Sequence, residues 1–553
     1  MSGFLKPLTE EEKARYNVIN KENLEFLTNR YNKLNRWVIA DMIRRSAYHY
    51  PDKKALIYRD HVLTYTQLEE EINRTANALQ DLGVKKYDRV AILAHNTTHH
   101  VLTWLACCKI GAIYLAINYM LRGKDISYCI NHSESVAFIV EDALFDLVKD
   151  VLDDMPTVKS WIWSNQGEGK PCIGGKFVDF DEWYKKYPAT EPDAILHIED
   201  PCQMVYTSGT ESLPKAVVLT NQALMSEYMG CIVDGEYDEN DISVTALPIF
   251  HAAQRDVFLN PIFWVGGTNI LLMVPDIGEI LRTIEKYKAN LIFMPPTVWI
   301  GLMRHPDFSK YDLSSLKKCY YGASIMPVEV LKEMMEKFAG ARIWNYYGQT
   351  ELCPYHTILK AKDAFNKIGS AGMGGINMET RLEDDEHRPI MQAGVPGEIC
   401  GKGPHAMTMY FKDPEKTEEA FLCGWFHSGD VGVMDEDRYI TVADRKKDIV
   451  KTGGENVSTR EVEEVIYLDK RVQEVAVIGL PHEKWVEAVT AVVVPKAGQK
   501  ITEAELMEIC KKELAPFKVP KGFIIVDALP KTPTGKILKR EMRVTYKDFY
   551  KDK

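Results

Sequence analysis

From Ala55 onward, apolar residues come in short β-branched runs that alternate with stretches of helical period. Arg89–Ala94 reads as a strand, Thr97–Ile110 as a helix, Ala112–Ile117 as a strand and Lys124–Asn131 as a helix. Val136–Val140 repeats the strand and Ala143–Met155 the helix. Such alternation implies parallel sheets covered by helices. The rhythm returns at Asn269–Val274, Ile277–Lys288, Leu291–Pro295 and Val328–Ala339, which predicts a second sheet of similar design facing the first. Between about 377 and 443 the pattern shortens into strands and turns such as Val395-Pro-Gly397, a small β-rich subdomain.

The flanks differ. Residues 1–36 form a charged helical lead-in, with Thr9 and Glu12 spaced as a capping box. Five consecutive charges, Asp444-Arg-Lys-Lys-Asp448, interrupt the pattern; such a run suits a solvated face or a linker that must tolerate rotation. Beyond it, the alternating run Val489–Val494 and an amphipathic helix near Glu503–Leu514 suffice for a small α+β domain. The expected organisation is therefore a lead-in (1–36), a large α/β domain (37–443), a hinge (444–448) and a C-terminal lid domain (449–553).

Composition narrows the function. A chain of 553 residues is too long for one core, and 46% hydrophobic with 27% charged residues is ordinary for a globular protein. The net charge of −11 disfavours broad nucleic-acid binding. Eleven cysteines without a C-x-x-C pair indicate neither a disulfide framework nor a zinc site, and a reducing cytoplasm is the expected setting. The acidic start, Glu10 to Glu12, does not read as a targeting segment. The most membrane-like window, Val101 to Leu121, is broken by Lys109, Gly111 and Asn118 and reads as a buried helix then a buried strand, so no membrane span is expected.

Candidate chemistry starts at Tyr206-Thr-Ser-Gly-Thr-Glu-Ser-Leu-Pro-Lys-Ala-Val-Val-Leu-Thr220, where hydroxyls, a glycine and a lysine lie between two apolar runs. Thr207, Ser208 and Thr210 offer hydroxyl donors, Gly209 lets backbone N–H groups approach an anion, and Lys215 adds a point charge. The G-x-x-x-x-G-K-[ST] spacing is missing, so the strand–loop–helix reading of a P-loop does not transfer. Taken alone, a stretch of this kind is more often an ordinary turn.

Four further stretches follow in order: Phe250-His251, Asn345-Tyr-Tyr-Gly-Gln-Thr-Glu351, Trp425-Phe-His-Ser-Gly-Asp430 and Asp444–Asn456, closed by Pro530-Lys-Thr-Pro-Thr-Gly-Lys-Ile-Leu538. The series, from about residue 40 to 545, resembles the adenylate-forming superfamily of acyl- and aryl-CoA ligases, peptide-synthetase adenylation domains and luciferases. The resemblance implies an enzyme using ATP, Mg²⁺ and coenzyme A, which pushes a carboxylate against the α-phosphorus of ATP. Charge neutralisation and positioning dominate such a step.

The same resemblance assigns Thr207, Ser208, Gly209, Thr210 and Lys215 to the β- and γ-phosphates, Glu351 with Thr210 to the metal, and Thr350 to the α-phosphate. It places Gly322-Ala323-Ser324, Tyr347 and Gly348 around adenine, and Asp430 and Arg445 at the ribose. Lys536 would steady charge on both the substrate carboxylate and the α-phosphate. Lys447 would be the pivot of a domain rotation, after which the Gly453-Gly454 loop lets pantetheine approach.

The acyl pocket is expected along 249–254, 294–299 and 321–326, with His251 as gate. The resemblance implies that an amino acid substrate would need an aspartate in the first of these segments, as in peptide-synthetase adenylation domains. Phe250-His251-Ala252-Ala253 has none, which disfavours such a substrate, and Asp256 is expected to be structural or at the rim. Apolar Ile249, Phe250 and Trp299 favour a fatty or other apolar acid. The chain departs from the family pattern at Glu211, Ser212 and Ala216; an ionised Glu211 about 4 Å from a phosphate oxygen would cost on the order of 4 kcal/mol.

The leading expectation is a cytoplasmic ATP-dependent acyl-CoA ligase acting on a small-molecule carboxylic acid, with a homodimer compatible with the sequence. The alternatives are a ligase for an aryl acid or a carrier protein, and a non-catalytic acyl- or nucleotide-binding relative whose phosphate loop has diverged.

Overall fold

The computed structural model describes residues 6–207, 214–532 and 535–551. Ser208, Gly209, Thr210, Glu211 and Ser212, on which part of the phosphate assignment rests, lie outside the described residues.

Two large sheets carry most of the chain. The first runs, edge to edge, through Met409–Tyr410, Lys215–Thr220, Pro201–Thr207, Ile113–Ala116, Arg89–Leu93, Ser135–Glu141, Ser160–Ser164 and Phe177–Asp179. From Pro201–Thr207 to Phe177–Asp179 every pairing is parallel. The second sheet has six parallel strands at its centre, Arg342–Tyr347, Lys318–Gly322, Leu291–Met294, Ile242–Thr245, Thr268–Leu271 and Lys54–Tyr58. Parallel strands are buried on both faces, which is why these runs read as continuous apolar stretches.

The helix Thr98–Ile110 is buried along its whole length and the strand Ile113–Ala116 follows it, as the pattern of Val101 to Leu121 predicts. Two expectations are corrected. Lys54–Tyr58 belongs to the second sheet, pairing with Thr268–Leu271, so the chain starts there and returns only at Ile242. The segment 143–155 is not one helix but two 3₁₀ pieces, Asp142–Leu147 and Lys149–Asp154; buried, β-branched Val148 sits between them at φ −125°, outside helical geometry.

A third, antiparallel sheet orders Pro389–Ile390, Glu379–Glu383, Pro396–Lys402, Phe426–Met434 and Ile440–Arg445. A fourth joins Glu455–Val457, Val450–Thr452, Val486–Pro495, Val472–His482 and Gly522–Ile525, with the helix Glu503–Glu513 capped by Thr502 and Glu505. The charged run joining these two sheets is tied down on both sides. Asp444 accepts the N–H and hydroxyl of Thr459 at 2.6 and 2.8 Å, Lys446 pairs with Glu398 at 2.8 Å, and Asp448 pairs with Arg543 at 2.7 Å. It is therefore an anchored crossing rather than a freely solvated face.

Candidate active site

Residues of the second and third sheets and of the C-terminal segment come together around Asp430. Strand Phe426–Met434 delivers Asp430, and its register pairs Asp430 with Arg445 on the neighbouring strand. Arg445 Nε stands 3.1 Å from Asp430 Oδ1. The other oxygen, Oδ2, accepts the Tyr347 hydroxyl at 2.8 Å and Gln349 Nε2 at 2.9 Å. Asp430 is buried, yet its Oδ1 receives no hydrogen bond. A buried carboxylate oxygen in that condition, facing only the Arg445 guanidinium, keeps the capacity to accept a hydrogen bond. Burial, then the Asp430 charge, pushes the Tyr347 phenol up, so it remains a donor.

Around this carboxylate the backbone is crowded. A Cβ on Gly322 would fall 2.3 Å from the Tyr346 carbonyl, and one on Gly348 only 1.7 Å from that of Pro354. Ala323 follows at φ +63°, a strained conformation for a residue with a Cβ, and Ser324 beside it is half-buried. Tyr346, by contrast, is a core residue of the aromatic cluster with Phe258 and Tyr320.

Glu351, Thr350, Lys215 and Thr207 make up a second group. The hairpin register puts Thr207 opposite Lys215, so the phosphate-loop candidate joins two antiparallel strands, consistent with the absence of P-loop spacing. Glu351 Oε1 accepts the Tyr410 hydroxyl at 2.8 Å, and Lys215 Nζ lies 5.0 Å from the centre of the Tyr410 ring. Thr350 is buried beside Glu351. Tyr410 thus links the two charged groups, a contact that sequence reading misses because Met409–Tyr410 joins the first sheet from a distant part of the chain. Gln349 was also missed, although it stands inside the 345–351 motif.

Lys536 comes from the C-terminal segment, and the charges of Asp430 and Arg445 act on it. Gly535 is at φ +77°, and its carbonyl accepts the Thr297 hydroxyl at 2.8 Å; a Cβ there would lie 2.4 Å from Thr297 Oγ1. The crossing requires glycine. Lys536 keeps solvent contact over the residue as a whole. Protein crowding around its ammonium, then Arg445, lowers its pKa to about 8, with Asp430 opposing; Lys447 adds to the lowering.

His251 is half-buried, and its Nδ1 accepts the Ala253 N–H at 3.2 Å. Burial first, then Arg255 and Lys536, pulls its pKa to about 4, so the ring is neutral near pH 7.

Of the two expectations for Asp256, the structural one holds: it is fully buried, accepting Arg255, Gln203, Tyr228 and Asn260. Trp299 is fully buried, donates its indole N–H to Tyr320 O at 3.0 Å and packs edge-on to Phe338, as a core residue does. Gly453 and Gly454, at φ +60° and +90°, form the two-residue turn between Val450–Thr452 and Glu455–Val457, a conformation that the hairpin itself demands.

Among the described residues, no helix is long and apolar enough to cross a membrane. The family profile "AMP-binding enzyme" matches residues 43–411, and that of the "AMP-binding enzyme C-terminal domain" matches residues 461–536. A feruloyl-CoA synthase of Amycolatopsis sp is 32% identical, covering 89% of this chain and 96% of that protein. A long-chain-fatty-acid–CoA ligase of Bacillus subtilis is also 32% identical, covering 91% and 94%. The anthranilate CoA ligase AuaEII, solved with anthranoyl-AMP, superposes with a TM-score of 0.85 at 26% identity, over 93% of this chain and 98% of that one. The chain belongs to the AMP-binding, adenylate-forming enzyme family, as one of its AMP-forming acid–CoA ligases.

Proposed function

We propose that this ligase activates a fatty or other apolar carboxylic acid as its acyl-adenylate and passes the acyl group to coenzyme A. The observation that carries the reading is the placement of Lys536 where the charges of the Asp430–Arg445 pair act on it and its own acts on His251. In the first step a substrate carboxylate oxygen attacks the α-phosphorus, the α–β phosphoanhydride bond breaks and pyrophosphate leaves. Asp430 Oδ1 would accept a ribose hydroxyl, and the Lys536 ammonium would offset charge building on both reacting anions.

Glu351 supplies the hard oxygen that Mg²⁺ prefers, steadied by Tyr410 beside Lys215. Bound there with the triphosphate, the ion would draw charge from the phosphate oxygens. In the second step the thiol sulfur of coenzyme A bonds to the acyl carbon, its proton goes to solvent and AMP leaves with the electron pair of the acyl–phosphate bond. This step requires Lys536 to withdraw, by rotation about 444–448 with Lys447 as pivot.

Buried Ile249 and Phe250, next to His251, support an apolar acid. An aryl acid is the second reading, favoured by the feruloyl- and anthranilate-ligase relatives. The test is acid-dependent pyrophosphate release across aliphatic, aryl and amino acids, with and without coenzyme A. Release with aliphatic acids and thioester formed only with coenzyme A are expected; release with aryl acids alone would favour the second reading, and none with any acid would overturn the proposal.

A further inference from the structure

The helix Pro296–Met303 is gripped at both ends by the C-terminal domain. In its first turn the Thr297 hydroxyl donates to the Gly535 carbonyl at 2.8 Å, one residue before Lys536. At its other end Arg304, the capping residue, donates from Nη1 to Gln473 on the strand Val472–His482, at 3.0 Å to the side-chain oxygen and 3.3 Å to the backbone carbonyl. Seven residues make two helical turns, so both groups lie on one face, about 10.5 Å apart along the axis. Trp299, Ile300, Leu302 and Met303 are fully buried, whereas Thr297 and Arg304 are half-buried. The face that meets the C-terminal domain is therefore not the one that packs the core.

Arg304 is fixed on its own side as well. Its Nη2 donates to Glu333 Oε2 at 3.1 Å, on the helix Val328–Lys337. That helix adds two contacts to the C-terminal domain: Glu329 pairs with Lys470, and the Val328 N–H donates to Glu464 Oε2 at 3.1 Å. Half-exposed pairs are worth little singly, but a guanidinium held by a carboxylate and delivered to two oxygens of one residue has a defined direction.

On the far side the contacts lead to Lys536. Gln473 is followed by Glu474, which is buried and whose Oε1 lies 2.5 Å from Lys531 Nζ. Lys531 precedes Thr532, whose N–H donates to the Lys536 carbonyl at 2.8 Å and whose hydroxyl accepts the Lys536 N–H at 3.0 Å. A continuous path thus runs from Arg304 through Gln473, Glu474, Lys531 and Thr532 to the backbone of Lys536.

We propose that Arg304 is a positioning residue for adenylation: with Thr297 it holds the C-terminal domain in the arrangement that delivers Lys536, acting through the Gln473–Glu474–Lys531 path. The inference rests on the reading of Lys536 given above. Arg304 precedes the proposed pivot and Gln473 follows it, so rotation about Lys447 separates them. Loss of the contact therefore slows the first step and spares the second.

The test is single-turnover kinetics on the full chain, with acyl-adenylate formation and thioester formation from pre-made acyl-adenylate measured separately. Arg304→Met should slow adenylation about 10-fold, leave ATP affinity by calorimetry unchanged and leave thioester formation as fast as in wild type or faster. Arg304→Lys should recover part of the loss. Lys531→Gln reads the same path from its other end and should slow adenylation about 3-fold, while the Arg304→Met/Lys531→Gln double variant should be little slower than Arg304→Met alone. Equal slowing of both steps in Arg304→Met, or weakened ATP binding, would mean a general structural role and overturn the inference. Adenylation within about 2-fold of wild type in both single variants, with Lys536→Ala slow, would overturn it alone; no loss in Lys536→Ala would overturn the reading of Lys536 with it.

Discussion

Two of the aspartate–arginine pairs among the described residues, Asp256–Arg255 and Asp430–Arg445, are built from nearly the same parts and differ in how the carboxylate is filled. Asp256 and Arg255 are both fully buried, with Asp256 Oδ1 accepting Tyr228 and Asn260 and Oδ2 accepting Gln203 and Arg255. Asp430 likewise receives a tyrosine hydroxyl, a glutamine amide and an arginine, but both neutral donors converge on Oδ2, and Oδ1 is left without a hydrogen bond. Arg445 keeps 36% of its side chain exposed where Arg255 keeps 1%. Residue types do not separate the structural pair from the one proposed to bind nucleotide. An unfilled acceptor does.

That contrast can be broken most forcefully at Asp256. Asp256→Ala strands the Arg255 guanidinium in the core and should lower unfolding stability by about 3–5 kcal/mol, read by denaturant melts. A loss below about 1 kcal/mol would mean that the pair is not the structural one. Asp430→Ala should instead weaken ATP binding by about 10- to 100-fold, the loss of charge-assisted hydrogen bonds worth about 1.5–3 kcal/mol, while costing less stability than Asp256→Ala. Calorimetric titration with ATP checks this, and unaltered affinity would remove Asp430 from the nucleotide site.

A finer test is Tyr347→Phe, which removes one of the two neutral donors from Oδ2. An effect of about 1 kcal/mol on ATP affinity is expected, against little for Tyr228→Phe, whose aspartate serves no ligand. Comparison of the two single variants by the same titration would show whether the tyrosines are as different as their partners.

The sheets were legible because period-2 and period-3.6 patterns are local, and the two αβ layers follow from them. The threading of Lys54–Tyr58 into the second sheet was not, since nothing local in a buried strand names its neighbour. The break at Val148 was hidden because its apolar spacing suits a helix as well as two 3₁₀ turns.

At the site, Asp430 pairs with Arg445, and the charges of both act on Lys536. Tyr410 and Gln349 were overlooked for different reasons: the first acts through a strand far from the motif it serves, the second through an uncharged side chain. Trp299 shows the converse error, an apolar residue near a motif that turned out to pack the core.

The central claim is that Lys536 serves the adenylation step alone. Its pKa of about 8 means that the cation is present below that pH and lost above it, so kcat/KM for pyrophosphate release should decline as pH rises through about 8. The most direct measurement compares wild type with Lys536→Ala in two single-turnover reactions: acyl-adenylate formation from acid and ATP, and thioester formation from pre-made acyl-adenylate and coenzyme A. The account predicts a loss of about 10²–10³-fold in the first and little change in the second. Equal losses in both would contradict it.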